Sequence, residues 1–206
     1  MIAPWFSIWT RPRTTLRAIV RAKPTFGFWI LATLYAVASL FSLANFYSWG
    51  LSSCSSPFFL LLVLSPILGI VIFYLNAWVL QWTGSFFKGK APIWHIRAAL
   101  AWSKVPYIAS LLLWLTLLAT NNTEAVFVQA VPGSLGIVTT LIPLTLSLWS
   151  LVLLIQGISE VQSFSLGRSI ANVLCSEMFV WLIILISAFI IRYAFIGTVS
   201  SFSLIN

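Results

Sequence analysis

The chain has 206 residues, of which 61% are hydrophobic and only 7% charged, with a mean hydropathy of +1.05. Soluble domains carry roughly 25% charged residues, so this composition excludes one and describes a polytopic membrane domain whose solvent is mostly lipid. The formal net charge of +8 lies beside apolar stretches, which points to anionic lipid headgroups as partners and not to nucleic acid.

Residues 1–25 form a basic lead, with Arg11, Arg13, Arg17, Arg21 and Lys23 spread too widely for the short charged region of a signal peptide. From Pro12 the lead reads as a short helix. Arg13, Arg17 and Arg21 share one side, with Leu16, Ile19 and Val20 opposite. Trp5, Phe6 and Trp9 precede it and suit a headgroup boundary. Such a helix either docks on the membrane surface, where a partner protein can grip it, or anchors the topology by gripping lipid alone.

Span one is expected at 26–46 and is followed by an uncharged loop. Span two, 57–81, opens on Pro57, contains Pro66 and Gly69, and carries Asn76 and Gln81 near its end. Then comes FFKGKAPIWHIRAALAWSKVP, residues 86–106, which holds Lys88, Lys90, Arg97, Lys104 and the single histidine, His95. Read as a helix from Pro92, it puts Arg97 and Lys104 on one side, with Lys90 extending the line and Ile93, Ile96 and Leu100 opposite. That pattern predicts a helix lying in the membrane interface.

Span three, 105–120, rises only ~24 Å and must borrow length from the helix before Pro106, where a kink or break is expected. The loop after it contains Glu124 and the glycosylation-type tripeptide Asn121-Asn122-Thr123, which is common by chance. Span four, 135–158, has Pro143 inside and Gln156 near its end. A second amphipathic stretch, 163–174, leads into span five, 176–199, where Glu177 and Arg192 lie ~22 Å apart along the helix axis. The expected fold is therefore all-α, with five transmembrane helices and two short interfacial amphipathic helices. A weak internal repeat relates span two, basic helix and span three to span four, amphipathic helix and span five, with Arg97 matching Arg168.

Basic residues concentrate in the lead and in the 83–105 and 159–175 segments. The positive-inside rule then gives a cytoplasmic N-terminus and an outer C-terminus.

Three stretches carry a resemblance: RPRTTLRAIV near the start, RAALAWSKVPYI before span three, and GISEVQSFSLGRSIANVL before span five. Together they resemble the bacterial branch of the Yip family, membrane proteins named for binding Ypt/Rab GTPases in eukaryotes. ALAWSKVP and SEVQSFS are the most specific parts, and the likeness covers nearly the whole chain in order. It implies five spans, a cytoplasmic N-terminus and residence in the bacterial inner membrane. Eukaryotic relatives carry a longer acidic or polar N-terminal region, where this chain has a short basic lead.

Catalysis finds little in the residues. The chain has no aspartate, His95 has no second histidine for a metal, and Ser103 lies off its helical face. No cofactor and no metal is expected, and Cys54 and Cys175 fall on opposite membrane faces. Pro66 and Pro143 are either hinges or prolines tolerated by local adjustment. Asn45, Asn76, Gln81 and Gln156 are candidate interhelical bonds of about 1 kcal/mol each.

The expected function is a non-enzymatic scaffold or adaptor that organises lipid or partner proteins through Arg13, Arg17, Arg21, Lys90, Arg97 and Lys104. Its partners are anionic headgroups and a membrane protein or second copy of the chain. The alternative is a small transporter or lipid-translocating protein. Glu160 is expected to pair with Arg97 and clamp the interfacial helix to the end of span four, against a bland alternative of a solvated carboxylate.

The topology is testable by single cysteines and an impermeant thiol reagent on intact cells. Cysteines near position 10 and within 83–105 should be protected, and those near 52, 125 and 204 should react. Labelling of 83–105 from outside would overturn the orientation.

Overall fold

The computed structural model describes residues 4–23, 25–46, 51–120, 126–127 and 133–203, the side chains of 51–57, 184, 188 and 190–203 excepted. Its elements are α1 (Pro4–Thr10), α2 (Pro12–Ala22), α3 (Phe28–Phe46), α4 (Leu51–Phe86), α5 (Ile93–Ser103), α6 (Val105–Ile108), α7 (Ser110–Ala119), α8 (Ser134–Gln162) and α9 (Leu166–Ser203). Five stretches are long and apolar enough to cross a membrane: Phe28–Phe46, Phe58–Phe86, Ile93–Ala119, Ser134–Gln162 and Leu166–Ser187.

The first correction concerns the basic segment before Pro106. It does not lie flat at an interface. Helix α5 runs through the middle of the bundle and packs on α2, α3, α4 and α8. Ile96, Ala98, Ala99, Leu100, Ala101, Trp102 and Ser103 are all buried. Ala98, Ala99, Ala101 and Ser103 are small, so neighbouring helices approach from several sides, which favours protein packing over a half-lipid surface. The stretch that is long and apolar enough to cross here is Ile93–Ala119, so the helix before Pro106 supplies the length that 105–120 lacks. The second amphipathic stretch is not a separate element either, because α9 is unbroken from Leu166 onward.

Pro106 does interrupt the helix, and the interruption is satisfied from outside. The N–H of Tyr107 donates to Ser150 Oγ on α8 at 3.1 Å. At Pro66 the adjustment is internal. Proline leaves the Leu62 carbonyl without its helical donor, and Ser65 Oγ supplies one at 2.7 Å. Helix α8 likewise continues through Pro143. These observations favour prolines accommodated within helices.

Two cores hold the bundle. The core at the basic end joins α1, α2, α3, α4, α5, α6, α8 and α9, and includes Ile8, Leu16, Leu31, Phe73, Trp102, Leu153 and Val173. The far-end core is smaller and unites Leu40, Phe41, Phe58, Trp114, Leu117 and Phe127. Ile8 and Leu16 are wholly buried, so the basic lead packs against protein and does not grip lipid alone. Trp102 and Trp114, also buried, depart from the aromatic belt expected of tryptophans.

The two halves end their leading helices alike. Lys88 after α4 and Ser163 after α8 take left-handed φ values of 65° and 56°. The N–H of Gly89 returns to the Gly84 carbonyl at 2.9 Å, and that of Phe164 to Ser159 at 3.0 Å. Helix α4 packs on α5 and α9, while α8 packs on α9 and α5. An exchange of the halves about one axis generates the same adjacencies, so the weak sequence repeat has a geometric counterpart.

Helices α3 and α4 meet where Gly69 faces Ala32 and Ala36, and a Cβ on Gly69 would collide with the Ala32 carbonyl oxygen. Gly69→Ala should destabilise the protein by about 1–3 kcal/mol, since backbone must move to admit the methyl group. Gly167→Ala, whose Cβ would meet open space, is the control. Thermal unfolding in detergent separates them, and equal midpoints would refute this account of the contact.

Candidate functional site

The end of the bundle where α2, the last turns of α4 and α8, and the first turns of α5 and α9 converge carries most of the cations. Arg11, Arg13, Arg17, Arg21, Lys23, Lys88, Lys90 and Arg168 are all exposed there. One ion pair stands among the described residues: Arg17 Nε donates to Glu160 Oε1 at 2.5 Å. That hydrogen bond, and then the carboxylate charge, raise the Arg17 guanidinium above its usual pKa. Arg13 and Arg21 also lie near enough for their charge to reach Glu160.

The expected Glu160–Arg97 pair is thus corrected. Gly157 of α8 faces Leu16 of α2 and Ala99 of α5, which directs the end of α8 toward the lead. Arg97 lies two residues before Ala99, and in a helix of 3.6 residues per turn it points nearly the opposite way. Its guanidinium sits 4.6 Å from the centre of the Tyr74 ring on α4. The two charges share a depth and occupy opposite flanks of α5. Lys104, two turns further along the chain, holds its Nζ 5.3 Å from the Tyr35 ring centre. The six expected contact cations therefore divide: Arg13, Arg17, Arg21 and Lys90 face out from the basic end, while Arg97 and Lys104 lie on aromatic faces of the bundle.

A polar joint fastens this end together. Thr83 Oγ1 donates to Asn172 Oδ1 at 2.7 Å, and Asn172 Nδ2 to the Leu80 carbonyl at 3.4 Å, linking α4 to α9. Gln162 Oε1 accepts the Ala91 N–H at 3.3 Å. Its amide fills the space left by Gly84 and Gly89, where any side chain would collide with it. Ser159 Oγ donates to the Phe164 carbonyl at 2.9 Å and closes the turn after α8.

Sequence reasoning looked for such bonds at Asn76 and Gln81. Asn76 spends its amide on Ile72 of its own helix (2.8 Å), and Gln81 reaches the Ala91 carbonyl (3.4 Å). Gln162 had a usable signal, lying among polar residues at the end of an apolar run. Asn172 had none, because its partner is remote in sequence.

Trp102 ties down the lead. Its Nε1 donates to the Phe26 carbonyl at 3.1 Å, and its ring stacks on Phe26 and tilts against Trp5. His95 is half-buried and edge-on to Trp94, while Ser103 Oγ donates to the Leu100 carbonyl of its own helix. Cys175 is free and exposed. Residues 121–125 and the side chains of Cys54 and Arg192 lie outside the described residues.

A family model described as the Yip1 domain matches residues 6–191, from α1 into the last span. The chain belongs to the Yip1-domain family. No curated protein and no solved structure matches it. The match includes the basic lead, in keeping with Ile8 and Leu16 in the core. The two most specific of the stretches that resemble Yip proteins, ALAWSKVP and SEVQSFS, supply Trp102 on one side and Glu160 and Gln162 on the other. These three side chains bind the lead and the first loop of the basic end to the Yip1-domain bundle.

A charge-swap cycle discriminates the two pairings of Glu160. The Arg17 side chain is 52% exposed and that of Glu160 20%, so solvent screens the pair and its contribution to stability is small. Glu160→Arg combined with Arg17→Glu should recover part of the lost thermal stability in detergent. Combined with Arg97→Glu, it should recover none.

Proposed function

We propose that this Yip1-domain protein is a non-enzymatic scaffold or adaptor that gathers anionic lipid, and a protein partner or second copy, at its basic end. The observation that carries the reading is the charge left over there. Arg11, Arg13, Arg21, Lys23, Lys88, Lys90 and Arg168 are exposed, and the Glu160 carboxylate is already engaged by Arg17. Each exposed cation near an anionic surface is worth about 1 kcal/mol, screened within a Debye length. The joint behind them, from Thr83 and Asn172 to Gln162, keeps their supports fixed. The positive-inside rule orients this end to the cytoplasm, with the C-terminus outside. The Yip-type resemblance supports the bacterial inner membrane.

A second reading, a small transporter or lipid-translocating protein, has one observation in its favour. The Ser110 hydroxyl and the Trp114 indole N–H are wholly buried within span three and have no hydrogen-bond partner among the described residues. Unsatisfied groups at that depth are costly and suit a polar path.

Extraction of the protein with its surrounding lipid, after in-membrane crosslinking, tests the main reading. The wild type should be enriched in anionic lipid or in a crosslinked partner, and Arg13→Gln, Arg21→Gln and Lys90→Gln together should lower that enrichment several-fold. High salt should do the same. An unchanged yield would refute the reading, and a co-purifying solute would favour transport.

A further inference from the structure

A second kind of site lies on the flank of the bundle. Arg97 borders a recess of about 40 Å³ between α3, α4 and α5, lined by Thr25, Phe28, Trp29, Tyr74, Trp94 and Arg97 itself. Its guanidinium lies over the Tyr74 ring. Its Nε is buried with no hydrogen-bond partner among the described residues. A ring face attracts the cation but offers no acceptor in the plane of the N–H groups, so the Nε–H has no acceptor among the described residues. Glu160 is on the other flank of α5, held by Arg17.

The walls of the recess say what reaches it. Trp29, Tyr74 and Trp94 are 54%, 40% and 48% exposed, and Thr25 stands exposed before α3. Indole and phenol rings with an apolar body and a polar edge favour the boundary between hydrocarbon and headgroups. Helix α3 has 19 residues and is thus ~28 Å long, close to the ~30 Å hydrocarbon layer. Its first turn, Phe28 and Trp29, therefore marks that boundary at the basic end. At this depth the acceptor at hand is a phospholipid phosphate, whose oxygens match the guanidinium fork. Beside it Ile30, Val71 and Leu75 are exposed on α3 and α4 and offer an apolar wall for acyl chains.

We propose that this recess binds the phosphate of one phospholipid from the leaflet at the basic end. Arg97 is the anion ligand, Thr25 a hydroxyl donor at the rim, and Trp29 and Trp94 the walls around the glycerol. The site deepens the lipid half of the proposed function and rests on its membrane placement. It differs in kind from the basic end, which attracts many headgroups through diffuse charge. Here one lipid is held by shape and a directed guanidinium.

Native mass spectrometry of the detergent-purified full chain with added phosphatidylglycerol tests it. The wild type should keep one phosphatidylglycerol under detergent that strips the rest. Arg97→Gln should weaken retention about tenfold or more, the scale of one charge-assisted hydrogen bond, with Arg97→Lys between. The triple variant at Arg13, Arg21 and Lys90 should retain the lipid, so this site and the surface enrichment can fail separately. Retention by Arg97→Gln equal to wild type overturns the site. If that variant does not fold, unchanged retention in both Arg97→Lys and Trp94→Leu overturns it instead. Displacement of the lipid by millimolar inorganic phosphate would mean that free phosphate is the ligand, and would overturn the lipid assignment.

Discussion

Helix α5 occupies the middle of the bundle because its surface is small. Ala98, Ala99, Ala101 and Ser103 let α2, α3, α4 and α8 approach closely, and Gly157 on α8 faces Ala99 in one of these contacts. In a membrane, helices gain little from excluding lipid, so dispersion between well-matched surfaces must hold them. A helix of alanine and serine with Trp102 at its end suits that requirement. Everything else at the basic end is arranged around it. The lead docks on one side, the ends of α4 and α8 bracket it, and its two cations are displaced onto Tyr74 and Tyr35.

The polar joint and the basic surface divide the work of this end. Buried amides and hydroxyls at Thr83, Gln162 and Asn172 are satisfied by one another and by backbone groups, so they fix geometry without presenting a binding surface. The exposed arginines and lysines present charge without fixing geometry. Glu160 is the exception, since it spends one arginine of the lead to hold α2 against α8. In the proposed function, this positive and rigidly backed surface attracts anionic lipid and presents a defined face to a protein.

Arg97 illustrates why depth and direction must be considered separately. Sequence reasoning put Arg97 and Glu160 at one depth, and Gly157 facing Ala99 supports that level. Direction around the helix axis was the missing quantity. A two-residue step turns a helical side chain by more than half a circle, which sends Arg97 to Tyr74 and leaves Glu160 to the lead.

The sequence by itself determined the all-α class, the number of spanning helices, the break at Pro106 and the Yip-type resemblance. These follow from apolar run length, from proline's missing N–H and from short local motifs, all of which are properties of adjacent residues. It also placed the cations along the chain. Only the tertiary structure decided which surfaces were protein and which were lipid. An amphipathic pattern gives a polar and an apolar side but does not name the neighbour, so α5 read as interfacial although it is central. The partner of Glu160, the burial of Ile8, Leu16 and Trp102, and the joint from Thr83 to Asn172 join residues remote in sequence. Contacts of that kind are set by how helices pack, and no local pattern carries them.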